Sequence, residues 1–122
     1  MAPFIHLCLN VTDADESQAF YEQFGFEYSR SFDLAGAENR YVIDENGIEI
    51  QLRDDPEVES VEVGDAWDHL ALAVDSVDDE LARIEHHGLV KGPMDVEQAG
   101  ARVVFFEDPD GHVVELVEPL EG

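Results

Sequence analysis

A chain of 122 residues with 30 acidic and 6 basic side chains, net −24, is long enough to bury one apolar core without disulfides. That balance excludes nucleic acid as a partner, because no basic patch exists to replace phosphate counterions. Lys91 is the only lysine, and acids occupy every loop and helix instead of one tail, the pattern of a halophilic protein in a salty cytoplasm. The lone Cys8 fits a reducing compartment. No basic region leads into a long apolar run, so neither a signal peptide nor a membrane span is expected. The expectation is one cytoplasmic domain, residues 1–122.

In chain order, residues 4–11 alternate, with Ile5, Leu7, Leu9 and Val11 on one face and His6, Cys8 and Asn10 on the other. A helix is predicted over 15–24, capped by Thr12 or Asp13, led by acids and stopped by Gly25. Residues 33–39 read as a short loop. Strands at 41–44 and 48–53 flank Asn46-Gly47, a strong hairpin signal. An acidic linker follows over 54–68, with Pro56 and Gly64. The plan then repeats: a strand at 69–74, a helix at 77–87 capped by Asp75 or Ser76 and ended by Gly88, then strands at 102–107 and 112–118 around Asp108-Pro109-Asp110-Gly111.

The two halves echo each other residue by residue. HLCLNVTD begins at His6 and HLALAVDS at His69, 63 positions on, the same offset as Gly25 to Gly88. Gly47 to Gly111 and Gln51 to Glu115 are each 64 apart. Repetition at half the chain length implies an α+β fold of two tandem βαβββ-like units, 4–53 and 69–118, related by a pseudo-twofold. The period of two then sorts the strands. Ile50, Leu52, Val114 and Leu116 face the helices, whereas Glu49, Gln51, Arg53, Val113, Glu115 and Val117 face away. With His6, Asn10 and His69, these polar faces line a concave groove.

Two imidazoles with one carboxylate form the minimum set for an open divalent site, which a further oxygen donor completes. A single strand histidine is more often a partly buried residue than a ligand. Recurrence of His6 and His69 at matched positions shifts that balance toward metal. His86 and His87 are expected at a helix C-terminus, where they suit the dipole. His112 lies on the opposite strand face from Glu115 and is not expected to ligate.

From about residue 4 to 118 the chain resembles the vicinal oxygen chelate (glyoxalase/bleomycin resistance/extradiol dioxygenase) superfamily, most of all glyoxalase I-type proteins. HLCLNVTDADESQAFYEQFGF, WDHLALAVDS and FFEDPDGHVVELVE carry the resemblance, and EDPDG is its most specific part. It implies a mixed sheet curled around a divalent metal (Ni, Zn, Co, Mn or Fe), and a homodimer in which units of two chains complete each site. The ligands it implies are His6, Gln51, His69 and Glu115. Gln51 stands where bacterial glyoxalase I usually has Glu. An amide oxygen can ligate but cannot act as a base.

The activity implied is that of a lactoylglutathione lyase-like metalloenzyme: proton transfer next to a carbonyl through an enediolate. Glu115 is the candidate base, with Glu49 on the same strand face as Gln51 as a second candidate or a substitute ligand. A solvated acid is an equally good reading of Glu49. Asn10 replaces the arginine that usually binds the glutathione carboxylate, and Asn10, Arg53 and Trp67 are candidate substrate contacts. Arg30, Arg40 and Arg102 are further candidate anion grips, though each is more often a local charge partner. Cys8 reads as a small hydrophobe near the groove, and one of Phe105 and Phe106 as core. The competing readings are a methylmalonyl-CoA epimerase-like enzyme, a dioxygenase, a fosfomycin-modifying enzyme and a non-catalytic drug-binding protein.

Overall fold

The computed structural model describes residues 1–120. It contains two compact units that meet in sequence between Val61 and Glu62, inside the acidic segment. In unit 1, β1 (His6–Val11), α1 (Ala14–Glu22), β2 (Glu27–Leu34), β3 (Ala37–Ile43) and β4 (Glu49–Asp54) build a sheet of order β1-β4-β3-β2. In unit 2, β5 (Leu70–Ala73), α2 (Val77–Arg83), β6 (Leu89–Val96), β7 (Ala101–Glu107) and β8 (Val113–Pro119) give β5-β8-β7-β6. The first strand runs parallel to the last in each unit and the other pairs are antiparallel. The fold is α+β, in two tandem units of one topology.

Register follows from burial. Leu9, Val11, Val42, Ile50 and Leu52 are buried with Phe20 and Tyr21 of α1, the helix that packs on β3 and β4. Val104, Phe106, Val114 and Leu116 are buried with Val77 and Ile84 in unit 2. Enclosing a leucine fully stabilises a fold by about 1.5–3 kcal/mol. A one-residue slip of β4 or β8 would exchange Leu52 for Gln51 or Leu116 for Glu115 in these cores. The aliphatic residues therefore fix which way the polar ones point.

Each helix is tied to its sheet by the same device. Asp13 caps α1, accepting from the backbone N–H of Asp15 and Glu16, and Ser76 caps α2 through Asp79. The N–H of Ala14 also donates to Asp54 at the end of β4 (2.9 Å), and that of Val77 to Glu118 near the end of β8 (2.8 Å). An arginine of the third strand adds a clamp in each unit: Arg40 on Asp15 (2.5 Å) and Arg102 on Asp78 (3.0 Å). Both arginines are thus engaged on the helix side and are not anion grips.

Three expectations need correction. The second helix ends at Arg83, where Ile84 turns extended (φ −90°, ψ 163°), so His86 and His87 lie in the connection to β6. There the His86 ring stacks obliquely on Phe106 and the His87 N–H donates to the Glu107 carbonyl. β5 begins at Leu70, leaving Trp67 in the preceding segment and off the strand. Residues 33–39 belong to a tight hairpin instead of a loop: only Ala35 and Gly36 separate β2 from β3, both at positive φ (52° and 84°) as a mirror-image turn requires.

β2 and β6 each carry a bulge at the same place. Tyr28 pairs with Val42 but Arg30 with Tyr41, so Ser29 is an extra residue. Leu89 pairs with Phe106 but Lys91 with Phe105, which makes Val90 its counterpart. A bulge re-aims the side chains beyond it. Arg30 and Lys91, both basic, thereby register against the strand residues that face away from the helices.

Candidate functional site

In unit 1 the polar face is assembled by register. His6, Cys8 and Asn10 of β1 sit beside Glu49, Gln51 and Arg53 of β4, and Tyr41 of β3 lies opposite Gln51. The His6 imidazole meets Tyr41 edge-on, with ring centroids 5.7 Å apart. Unit 2 repeats the arrangement: His69 meets Phe105 edge-on at 5.2 Å, and Phe105 lies opposite Glu115. Phe106, fully buried, is the core member of its pair. An aromatic that orients each imidazole was missing from the sequence reading. The signal was present, since Tyr41 and Phe105 are 64 apart, the offset of Gln51 and Glu115.

His69 stands between two carboxylates. Its Nδ1 is 2.5 Å from Asp68 Oδ1 and its Nε2 3.0 Å from Glu115 Oε1. A carboxylate on Nδ1 fixes the ring and its tautomer, as in many metal-binding histidines. With Nδ1–H donating to Asp68, a neutral ring would turn its Nε2 lone pair toward the Glu115 oxygen. Such a pair needs a positive particle, a proton or a metal ion.

Gln51 is held differently. Its Nε2 donates to Asn39 Oδ1 at 2.8 Å, and Asn39 Nδ2 donates to the Ala37 carbonyl at 3.2 Å. Glu49 is ion-paired to Arg30 at 3.5 Å and is only 16% exposed, so it is not a freely solvated acid. The Arg30 guanidinium also lies 4.0 Å above the Tyr41 ring. Arg53 pairs with Asp55 at 3.5 Å, on the face that carries exposed Asn10. Burial raises the Cys8 thiol pKa, and the charge of Arg53 offsets part of that rise. His112 serves the EDPDG turn: Asp108, buried completely, accepts from the backbone N–H of Asp110 and His112 and lies 2.8 Å from His112 Nδ1.

Among the described residues no three His, Cys, Asp or Glu side chains gather into one metal-binding group. Each unit presents two of the four expected donors: His6 and Gln51, both beside Tyr41, in one, and the His69–Glu115 pair in the other. Among the described residues no helix is long and apolar enough to cross a membrane.

Comparison with known proteins identifies the family and the fold. The chain is 30% identical to the lactoylglutathione lyase of Salmonella typhimurium over 132 aligned positions, covering 97% of this chain and 93% of that one. The fold superposes on a glyoxalase I variant from Zea mays with TM-score 0.84 and 23% identity, spanning 97% of this chain and 45% of the larger maize chain. An antibiotic binding protein from Streptomyces shares the fold at TM-score 0.73 and 24% identity, over 98% and 97% of the two chains. The sequence profile of the Glyoxalase/Bleomycin resistance protein/Dioxygenase superfamily matches residues 4–116, and the chain belongs to that superfamily.

Proposed function

We propose that the protein is a metal-dependent, glyoxalase I-like lyase that shifts a proton between neighbouring carbons of a thiol adduct of a 2-oxoaldehyde. The observation that carries this reading is the His69–Glu115 pair, an imidazole nitrogen and a carboxylate oxygen 3.0 Å apart with the imidazole backed by Asp68. An imidazole nitrogen and a carboxylate oxygen this close are donors that one divalent ion could share. The kinship with lactoylglutathione lyases supports the same chemistry.

In this reading His6, Gln51, His69 and Glu115 would hold the ion. A divalent ion (Ni, Zn, Co, Mn or Fe) supplies a Lewis acid that stabilises negative charge developing on the substrate's oxygen. Glu115 takes the proton from the carbon beside the carbonyl and returns it to the neighbouring carbon, a transfer that typically contributes about 10²–10⁴-fold to the rate. Asp68 keeps the His69 ring oriented while this happens. Glu49 stays paired with Arg30, so its charge is balanced and it is the weaker candidate for base. Asn10 and Arg53 meet the polar end of the substrate. Trp67, 37% exposed outside the strand, covers its apolar part. The acidic surface and single cysteine support a salt-adapted cytoplasm as its setting, and the homodimer implied by the family resemblance is the proposed working form.

The test is turnover of methylglyoxal with glutathione and other small thiols, assayed in concentrated KCl after loading with each metal. Metal-dependent thioester formation that falls at least about a hundredfold in Glu115→Ala is expected. No turnover with any metal, or turnover indifferent to Glu115→Ala, overturns the reading.

A further inference from the structure

The two halves differ at several positions on this face, and one pair of those differences is chemically matched. Glu115 in unit 2 stands where Gln51 stands in unit 1, and Val103 where Asn39 stands. Asn39 is only 2% exposed and Val103 3%. The amide residue thus has a buried amide neighbour, whereas the equivalent position in the carboxylate's unit is a hydrocarbon.

The sense of both amides follows from one group that cannot reverse its role. The Ala37 carbonyl can only accept, so the Asn39 nitrogen must face it. The Asn39 oxygen then faces Gln51 and can only accept, so the Gln51 nitrogen must face Asn39. Gln51 Oε1 is left as the outward end. We propose that Asn39 is a positioning residue that turns Gln51 into an oxygen donor on the His6 face. The same relay discriminates against a carboxylate at position 51. Glu there would set an oxygen against the Asn39 oxygen, or would turn Asn39 around and strip the Ala37 carbonyl of its buried donor. The inference rests on the proposed metal site for its purpose, and on the Ala37–Asn39–Gln51 chain for its geometry.

The experiment is a double-mutant cycle on the full chain: wild type, Asn39→Val, Gln51→Glu and the combined variant, which copies the Val103–Glu115 pairing of the other half. Two readouts are taken. The first, on metal-free protein, is the ¹⁵N signal and solvent exchange of the Gln51 side-chain NH₂, assigned by its loss in Gln51→Glu. The second is Co(II) affinity and d–d absorption. A slowly exchanging Gln51 NH₂ in wild type that becomes fast in Asn39→Val is expected. Affinity should fall roughly 10–100-fold in Asn39→Val, the usual effect of removing an outer partner of a ligand, with a shifted Co(II) spectrum. Gln51→Glu alone should also weaken binding, and adding Asn39→Val should restore it.

An Asn39→Val variant with unchanged NH₂ exchange, or a Gln51→Glu effect that is the same with and without Asn39→Val, overturns the proposal. No Co(II) uptake by wild type while the Gln51 NH₂ remains protected overturns the metal reading and leaves the orientation of Gln51 supported.

Discussion

Cys8 shows how a single side chain reports the chemistry around it. It sits between His6 and Asn10 on β1, beside Gln51 and within the field of Arg53. Desolvation disfavours the thiolate, and Arg53 only partly compensates, so the folded thiol releases its proton above the ordinary value of 9.0. Alkylation by iodoacetamide near pH 8 should accordingly be slower than that of a free cysteine, and should accelerate as pH climbs past 9.0. Arg53→Ala should push the inflection higher still. Alkylation as fast as that of free cysteine, or faster in Arg53→Ala, would show that Arg53 does not act on the thiol as described. The linkage has a definite sign as well: the folded state holds this proton more tightly than the unfolded chain. The thiol therefore costs stability only when pH rises through and beyond its unfolded value, and contributes nothing at neutral or acid pH.

At the scale of elements, alternation was the part of the fold most legible in the sequence. Strands with one apolar face, such as β1, β4 and β8, reveal themselves because burial on one side imposes a period of two. β2 does not, since all eight of its residues are exposed and burial writes no pattern on it. α2 was read too long because 84–87 carry no glycine or proline, whereas Ile84 leaves the helix to bury its side chain. The site was legible only where it was repeated. His6, His69, Gln51 and Glu115 announced themselves by their offsets, while Asn39 was silent, because its counterpart Val103 shares nothing with it but position. The same repetition identifies the acids that cap the helices from across the sheet. Asp54→Ala and Glu118→Ala should each lower unfolding free energy by about 1 kcal/mol, the usual loss for a missing helix-terminal acceptor. Urea denaturation measures this, and an unchanged midpoint for both variants would mean that water substitutes for these carboxylates without loss.

For the whole molecule, charge dominates. A net −24 on 122 residues makes the folded state repel itself over distances that salt controls, about 10 Å at 0.1 M and about 3 Å at 1 M. The thermal midpoint should rise steeply with KCl, by roughly 4 °C for each kcal/mol of repulsion removed. A midpoint that stays flat from dilute buffer to concentrated KCl would refute salt adaptation as the reason for the acidity. Against this background Arg30 and Lys91 stand out as cations delivered by bulges at matching points of the two units. A slip in pairing at the same place in both units, like the helix ties and the imidazole–aromatic contact, marks them as two executions of one plan. Asn39 with Gln51 on one side, and Val103 with Glu115 on the other, are where the two executions part, so that one half offers an amide where the other offers a charge.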